Sequence, residues 1–212
     1  MEKHTNLVVH KFPLGELSTN CYIIEHTKMG EVWIIDPADA SDFISQKCLD
    51  LNAKVSKIIA THGHFDHILA AHELTLIFNQ PLLIHPRDQF LLTRMHETAE
   101  HFLGHKVEQR EPTMVDTLSM RAFDWSGEQV LFIETPGHTP GSISLYFSSI
   151  GALFTGDTLF ASGSVGRTDF SYSNRNDIKK SLQTLLHFSP ETVIYSGHGE
   201  LSTVKAEKSF HL

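Results

Sequence analysis

The chain has 212 residues, 41% of them hydrophobic, and its 17 Lys and Arg against 25 Asp and Glu give a net charge of −8 with histidines neutral. That length suits one large domain or two small ones with a sizeable core; the acidic balance, with no basic run beyond Lys179–Lys180, weighs against nucleic-acid binding; and no apolar run approaches the roughly 18 residues of a membrane span. Cys21 and Cys48 alone make no disulfide framework, and MEKHTNLVVHKFPLG lacks the basic and apolar regions of a secretory signal, so a cytoplasmic location is expected.

From the N-terminus, LVVHKF (7–12), CYIIE (21–25) and VWIID (32–36) read as strands, rich in β-branched and aromatic residues and bounded by turn formers. A helix is expected at 41–51, with Ser41 where an N-cap belongs, then strand KIIAT (57–61), helix 68–78, strand PLLIH (81–85) and helix 87–95. The second half offers strands QVLFIET (129–135), SISLYF (142–147) and GALFTG (151–156). A helix at 176–186, with Asn176 in the N-cap place, strand TVIYSG (192–197) and helix 203–209 follow. Each half puts strands first and a helix–strand section later. Two sheets packed face to face with helices outside would bury every apolar face. No linker or low-complexity tract interrupts the chain, so 1–212 reads as a single domain.

Fifteen histidines are the compositional oddity, and three of them fall in THGHFDH (61–67). His62 and His64 are two apart, so both point the same way in an extended stretch, and Gly63 between them removes bulk. Asp66 and His67, adjacent at a helix start, aim at a second point nearby, which suits two metals better than one. His138 in ETPGHTPGS, Asp157 in LFTGDTLF and His198 in YSGHGE recur in a like setting, each on a Gly- or Pro-marked loop just past an apolar strand. Imidazoles and carboxylates suit zinc, iron or manganese. The alternative, histidines decorating surface loops, does not explain the shared strand-end placement.

THGHFDH, PGHTPGS (136–142), TGDTLF (155–160) and SGHG (196–199), with IIDP (34–37) ahead of them, resemble the motifs of the metallo-β-lactamase superfamily in order and spacing along nearly the whole chain. The resemblance implies an α/β fold, a four-layer αββα sandwich with metals in a groove at one sheet edge. It implies two divalent ions, zinc in the first place, with His62, His64 and His138 on one, Asp66, His67 and His198 on the other, and Asp157 bridging. Asp36 would support the site from behind the ligands. Ala38 stands where the family usually has glycine.

β-Lactamases of the fold usually bear a secretion signal and often a cysteine at the position of Asp157; neither is seen here. Nucleic-acid-processing branches carry large inserted domains, for which 212 residues leave no room, or an exosite arm, and the acidic charge disfavours both. STNCYII (18–24), GRTDF (166–170) and GHGELST (197–203) resemble the short bacterial form of the glyoxalase II group, hydroxyacylglutathione hydrolase-like proteins. GRTDF is shared with persulfide dioxygenases, which hold a single iron; their usual cysteine before that glycine is Val165 here. Full-length glyoxalase II ends in a helical segment that helps bind glutathione, and the sequence stops about a dozen residues after GHG, so the thiol carrier stays open.

The expected reaction is hydrolysis of a small thioester such as S-lactoylglutathione. Two metals sharing a water bring its pKa toward neutrality, and a thiol leaving group with a pKa of about 8.5 departs without a dedicated acid. Asp66 is placed to orient the water and Asp36 to fix a ligand. Arg167 offers a fork to a substrate carboxylate, with a structural pair to Asp169 the slightly favoured alternative; Asn20 lines the groove or makes a turn. His101 and His105, four apart, would share a helical face in a solvated or lid-like helix. No nucleic acid and no membrane are expected as partners, and the oligomeric state is left open. The alternative activity is a mononuclear iron persulfide dioxygenase using His62, His138 and Asp157.

Overall fold

The computed structural model describes residues 5–119 and 121–211. The chain divides into two compact units, one ending at Leu118 and the other beginning at Ser119. In the first, β1 (Leu7–Leu14), β2 (Thr19–His26) and β3 (Glu31–Ile35) form an antiparallel meander. β4 (Lys54–Ile59), β5 (Leu82–Ile84) and β6 (Val115–Thr117) then add in parallel, giving the order β1-β2-β3-β4-β5-β6. Parallel neighbours cannot be joined by a tight turn, so each junction is a crossover carrying helix. These are α1 (Ser41–Asp50), α2 (Ala71–Phe78), and the pair α3 (Gln89–Leu92) and α4 (Met95–Leu103). α1 buries Ile44 and Cys48, four apart and so on one face. They join Ile23, Ile34, Ile58 and Leu74 in the core of this unit.

The second unit begins with an antiparallel meander of β7 (Ala122–Trp125), β8 (Glu128–Glu134), β9 (Ile143–Phe147) and β10 (Ala152–Gly156). α5 (Arg175–Leu185) crosses over to β11 (Val193–Ser196), parallel to β10, and β12 (Ser202–Thr203) closes the order β12-β11-β10-β9-β8-β7 before α6 (Val204–His211). Every residue of β10 is buried, as a strand covered on both faces requires. α5 turns Ile178, Leu182 and Leu185 inward. In α6 the buried Glu207 carboxylate accepts from Ser162 N at 3.1 Å and Gly163 N at 2.7 Å and from the Ser202 hydroxyl, clasping the loop that follows Asp157.

Several sequence-based boundaries shift for local reasons. Asn174, not Asn176, caps α5: its side-chain oxygen accepts from Asn176 N at 2.9 Å and Asp177 N at 3.2 Å. The N-cap of α1 is Ala40, in a left-handed conformation, and Ser41 is already helical. The helix expected at 68–78 starts at Ala71, because Phe65–His67 form a separate 3-10 turn. The one expected at 87–95 resolves into a 3-10 turn at Pro86–Asp88, α3 and α4. Gly104, with φ 77°, ends α4 before His105, so His101 and His105 do not share a helical face. Strands β6, β7 and β12 were not anticipated. Among the described residues no helix is long and apolar enough to cross a membrane.

Candidate metal centre

In the first unit, β3 and β4 run parallel and end together, with Asp36 N donating to Ile59 O at 2.8 Å. Asp36 therefore leaves one strand end beside the residues that leave the other. It is buried and held at φ 52°, a left-handed conformation that Asp tolerates better than most residues. Its Oδ1 accepts from Thr61 N at 2.7 Å, and its Oδ2 accepts from the Thr61 hydroxyl at 2.9 Å and meets His67 Nδ1 at 2.9 Å. The Thr61 hydroxyl proton goes to Asp36, so its oxygen is left to accept from His62 Nδ1, 3.1 Å away. One carboxylate thus sets the tautomer of two histidines, His67 directly and His62 through Thr61. Both are left with a lone pair on Nε2, the atom a metal requires.

Those atoms converge. His62 Nε2 lies 3.0 Å from His64 Nδ1, and the His62 and His67 rings are 4.2 Å apart. His67 Nε2 stands 3.6 Å from Asp66 Oδ2, which accepts from the Thr19 hydroxyl at 2.8 Å. The loop is held from the far side by Asp88, fully buried, whose Oδ2 accepts from Gly63 N at 3.0 Å. A side chain at Gly63 would bring its Cβ within 2.8 Å of Asp88 O, so only glycine lets the two histidine-bearing peptides lie this close to α3.

In the second unit Asp157 follows β10 directly, and its Oδ2 is 3.5 Å from His138 Nε2 and 3.7 Å from His198 Nε2. Two donors on one tetrahedral zinc, each at about 2.0–2.2 Å, lie roughly 3.3–3.6 Å apart. The His138 spacing falls within that range and the His198 spacing just beyond it. His138 Nδ1 donates to the backbone carbonyl of Arg167 at 2.9 Å, which again directs Nε2 at the acidic group. Gly166 makes this possible: a Cβ there would fall 1.9 Å from Asp157 O and 3.0 Å from the His138 ring. GRTDF earns its place beside the ligands through backbone, not through its arginine side chain. Arg167 forks onto Asp169 through Nε and Nη2, both at 2.7 Å, and lies over the Phe170 ring at 4.5 Å. That guanidinium holds the Asp169 carboxyl at about 2. The pair with Asp169, the alternative weighed from sequence, is the arrangement seen. Asn20 is buried in β2 opposite Pro13.

The expected ligands thus form two sets, His62, His64, Asp66 and His67 in one unit and His138, Asp157 and His198 in the other, all among the residues suited to hold an ion. Five imidazoles and two carboxylates suit zinc, iron or manganese alike. The sequence reading missed Thr61, Asp88, Thr19 and the Arg167 carbonyl. Only Thr61, next to the first histidine, stood close enough to be noticed. His96 turns to Gln109 O at 2.8 Å and His105 to Glu16 at 2.7 Å, so no third metal cluster forms there among the described residues.

A family model described as the metallo-beta-lactamase superfamily matches residues 14–198, a span holding both ligand sets. Hydroxyacylglutathione hydrolase GloC of Haemophilus influenzae is 32% identical over 200 residues, covering 92% of each chain. Among solved structures, TTHA1623 in a di-iron-bound form is 31% identical with a TM-score of 0.82, covering 94% of this chain and 96% of its own. The BLEG-1 B3 metallo-beta-lactamase is 27% identical with a TM-score of 0.86, covering 95% and 97%. Two mixed sheets flanked by helices, carrying these motifs at their strand ends, are the α/β fold such proteins share, and this chain belongs to the metallo-β-lactamase superfamily.

Proposed function

We propose that this chain is a metal-dependent thioester hydrolase resembling hydroxyacylglutathione hydrolase, acting on substrates of the S-lactoylglutathione type. The observation that carries the reading is the preset state of the ligands: Asp36, Thr61 and the Arg167 carbonyl each hold an imidazole from behind with its second nitrogen left to bind. In this reading residues 1–212 work as one domain. His62, His64 and His138 would hold one ion and Asp66, His67 and His198 the other, with Asp157 as a further ligand. Similarity to GloC supports the substrate class. Similarity to a di-iron protein supports a two-metal site and keeps iron beside zinc as the ion.

When bound, the ions would polarise the thioester carbonyl and acidify a water toward neutral pH. The chain's own residues provide the rest. Asp36 and Thr61 fix proton positions on His62 and His67, Thr19 holds the Asp66 carboxylate so that it orients the attacking water, and Asp88 pins the Gly63 peptide between two ligands. The leaving thiolate, from a thiol of pKa about 8.5, needs no acid from the protein, in keeping with a site rich in ligands. A mononuclear iron site of His62, His138 and Asp157 would use the Asp36–Thr61–His62 link but leave Asp66, His67 and His198 without an ion to hold.

Zinc-loaded protein should hydrolyse S-lactoylglutathione with kcat/KM above about 10⁴ M⁻¹s⁻¹ and lose turnover after chelation. No turnover from protein carrying two metals per chain would overturn the reading, and oxygen uptake on glutathione persulfide would replace it with the dioxygenase.

A further inference from the structure

The geometry points to an acyl-binding pocket in the first unit that selects an uncharged, apolar acyl chain and rejects an acyl group bearing a second carboxylate. This rests on the thioesterase reading. A cavity of about 360 Å³ opens beside Asp66 and Thr19 and runs between the β1–β2 turn and the segment that follows α4. That volume is in the lower range of small-molecule sites. Leu14, Leu17, Phe65, Leu69, Leu103 and Val107 supply its apolar lining, beside the polar groups of Thr19, Asp66 and Gln109. Phe65 and Leu69 are buried against the core, and the Phe65 ring stacks with Phe102 at 6.2 Å between centroids.

The charged groups on the cavity are unevenly signed. Glu16, Asp39 and Glu108 face it from three segments, against Lys106 and His105. Glu16 pairs with His105 at 2.7 Å and thereby ties the β1–β2 turn to the segment after α4 across the cavity. Asp39 takes Ala40 N at 2.7 Å and Gln109 Nε2 at 3.2 Å. Beyond the pair, and apart from Asp66, which the thioesterase reading commits to an ion, two carboxylates face one ammonium, so a carboxylate entering between them meets net repulsion while a hydrocarbon chain meets six apolar side chains. The end of the cavity at Asp66 is where the reacting carbonyl would stand; the chain behind it would fill the cavity. A lactoyl group, three carbons long, would leave most of it unused.

The test compares acetyl, hexanoyl and succinyl thioesters of one thiol, N-acetylcysteamine, on the zinc-loaded full chain. Each buried methylene is worth about fourfold, so hexanoyl should exceed acetyl in kcat/KM by at least about tenfold and succinyl should fall below acetyl. Leu103→Trp, which fills the cavity, should abolish the hexanoyl-to-acetyl ratio. Glu108→Lys should raise the succinyl-to-acetyl ratio while the protein remains folded by circular dichroism. A flat acyl profile, a preference for succinyl, or ratios unmoved in both variants would overturn the pocket assignment. Binding of hexanamide, followed by amide NMR shifts at Leu69 and Leu103, tests the pocket without turnover. If no thioester is hydrolysed but hexanamide shifts these signals in the wild type and not in Leu103→Trp, the thioesterase reading falls and the pocket stands; no shifts overturn the pocket.

Discussion

Asp36→Asn is the substitution that most sharply tests how the ligands are preset. The side chain keeps its size and tolerates the same left-handed backbone, so packing is preserved while one acceptor oxygen becomes a donor. Thr61 N needs an acceptor at 2.7 Å, which places the amide oxygen there and the NH₂ group toward Thr61 Oγ1 and His67 Nδ1, both at 2.9 Å. That NH₂ forces His67 Nδ1 to accept and moves the ring proton to Nε2. It also makes Thr61 Oγ1 an acceptor, whose proton turns to His62 Nδ1, so His62 is reversed as well. Loss of one such outer partner typically costs 10–100-fold in metal affinity, about 1.4–2.7 kcal/mol. Because His62 and His67 are assigned to different ions, both binding steps should weaken by about that factor. Competition with a chromogenic chelator measures each step. Affinities within about threefold of wild type for both ions would refute the relay, and weakening of one step alone would confine Asp36 to His67.

Gly166→Ala drives a methyl into Asp157 O, and overpacking of about 1–3 kcal/mol at about 2–4 °C per kcal/mol should lower Tm by about 2–12 °C and weaken metal binding; an unchanged melt would show the loop to be freely adjustable. Chelation should lower Tm, and restoring the metal should recover it as its concentration rises past Kd; a metal-independent melt on verified apo-protein would count against the proposed ligand assignment. Burial pushes the Cys48 thiol to about 12, and burial with Asp36 nearby pushes Cys21 higher still, from an ordinary 9.0. The unfolded chain releases these protons near pH 9 while the folded one keeps them, so the thiols' contribution to stability is present below pH 9 and lost between pH 9 and about 12. Urea midpoints should therefore fall more steeply from pH 8 to 10.5 in wild type than in the Cys21→Ala/Cys48→Ala protein, and parallel slopes would refute buried thiols.

The elements most legible in the sequence were those whose burial writes itself into composition. ALF (152–154) and VWII (32–35) are apolar throughout because strands covered on both faces must be, and the candidate ligands announce themselves by following such strands. β6 (VDT) and β12 (ST) carry no such pattern; they are held by ladder bonds to a neighbour that sequence spacing cannot name. The break of 87–95 into separate turns depends on Pro86 and on the burial of Asp88, which reads locally as a surface residue. The partners of the ligands were invisible for one physical reason. Thr19 meets Asp66 across 47 residues, Asp88 meets Gly63 across 25, and His138 finds a backbone carbonyl 29 residues on. A carbonyl has no residue type to signal it, and GRTDF drew attention to an arginine when the glycine and the peptide beside it carry the contact.

The outer strands of the two sheets bear on how the protein behaves when crowded. β1, at one end of its sheet, contains Lys11 and Pro13, a charge and a residue without an N–H to offer. β6 and β7 are short and carry Asp116 and Asp124, and β12 has only two residues. An open strand is a template for recruiting another polypeptide, and charge, proline and brevity each spoil that template. Growth of fibre-like aggregates by strand addition is thereby obstructed at every sheet margin, so a concentrated stock should lose material through other surfaces before it does so through its sheets.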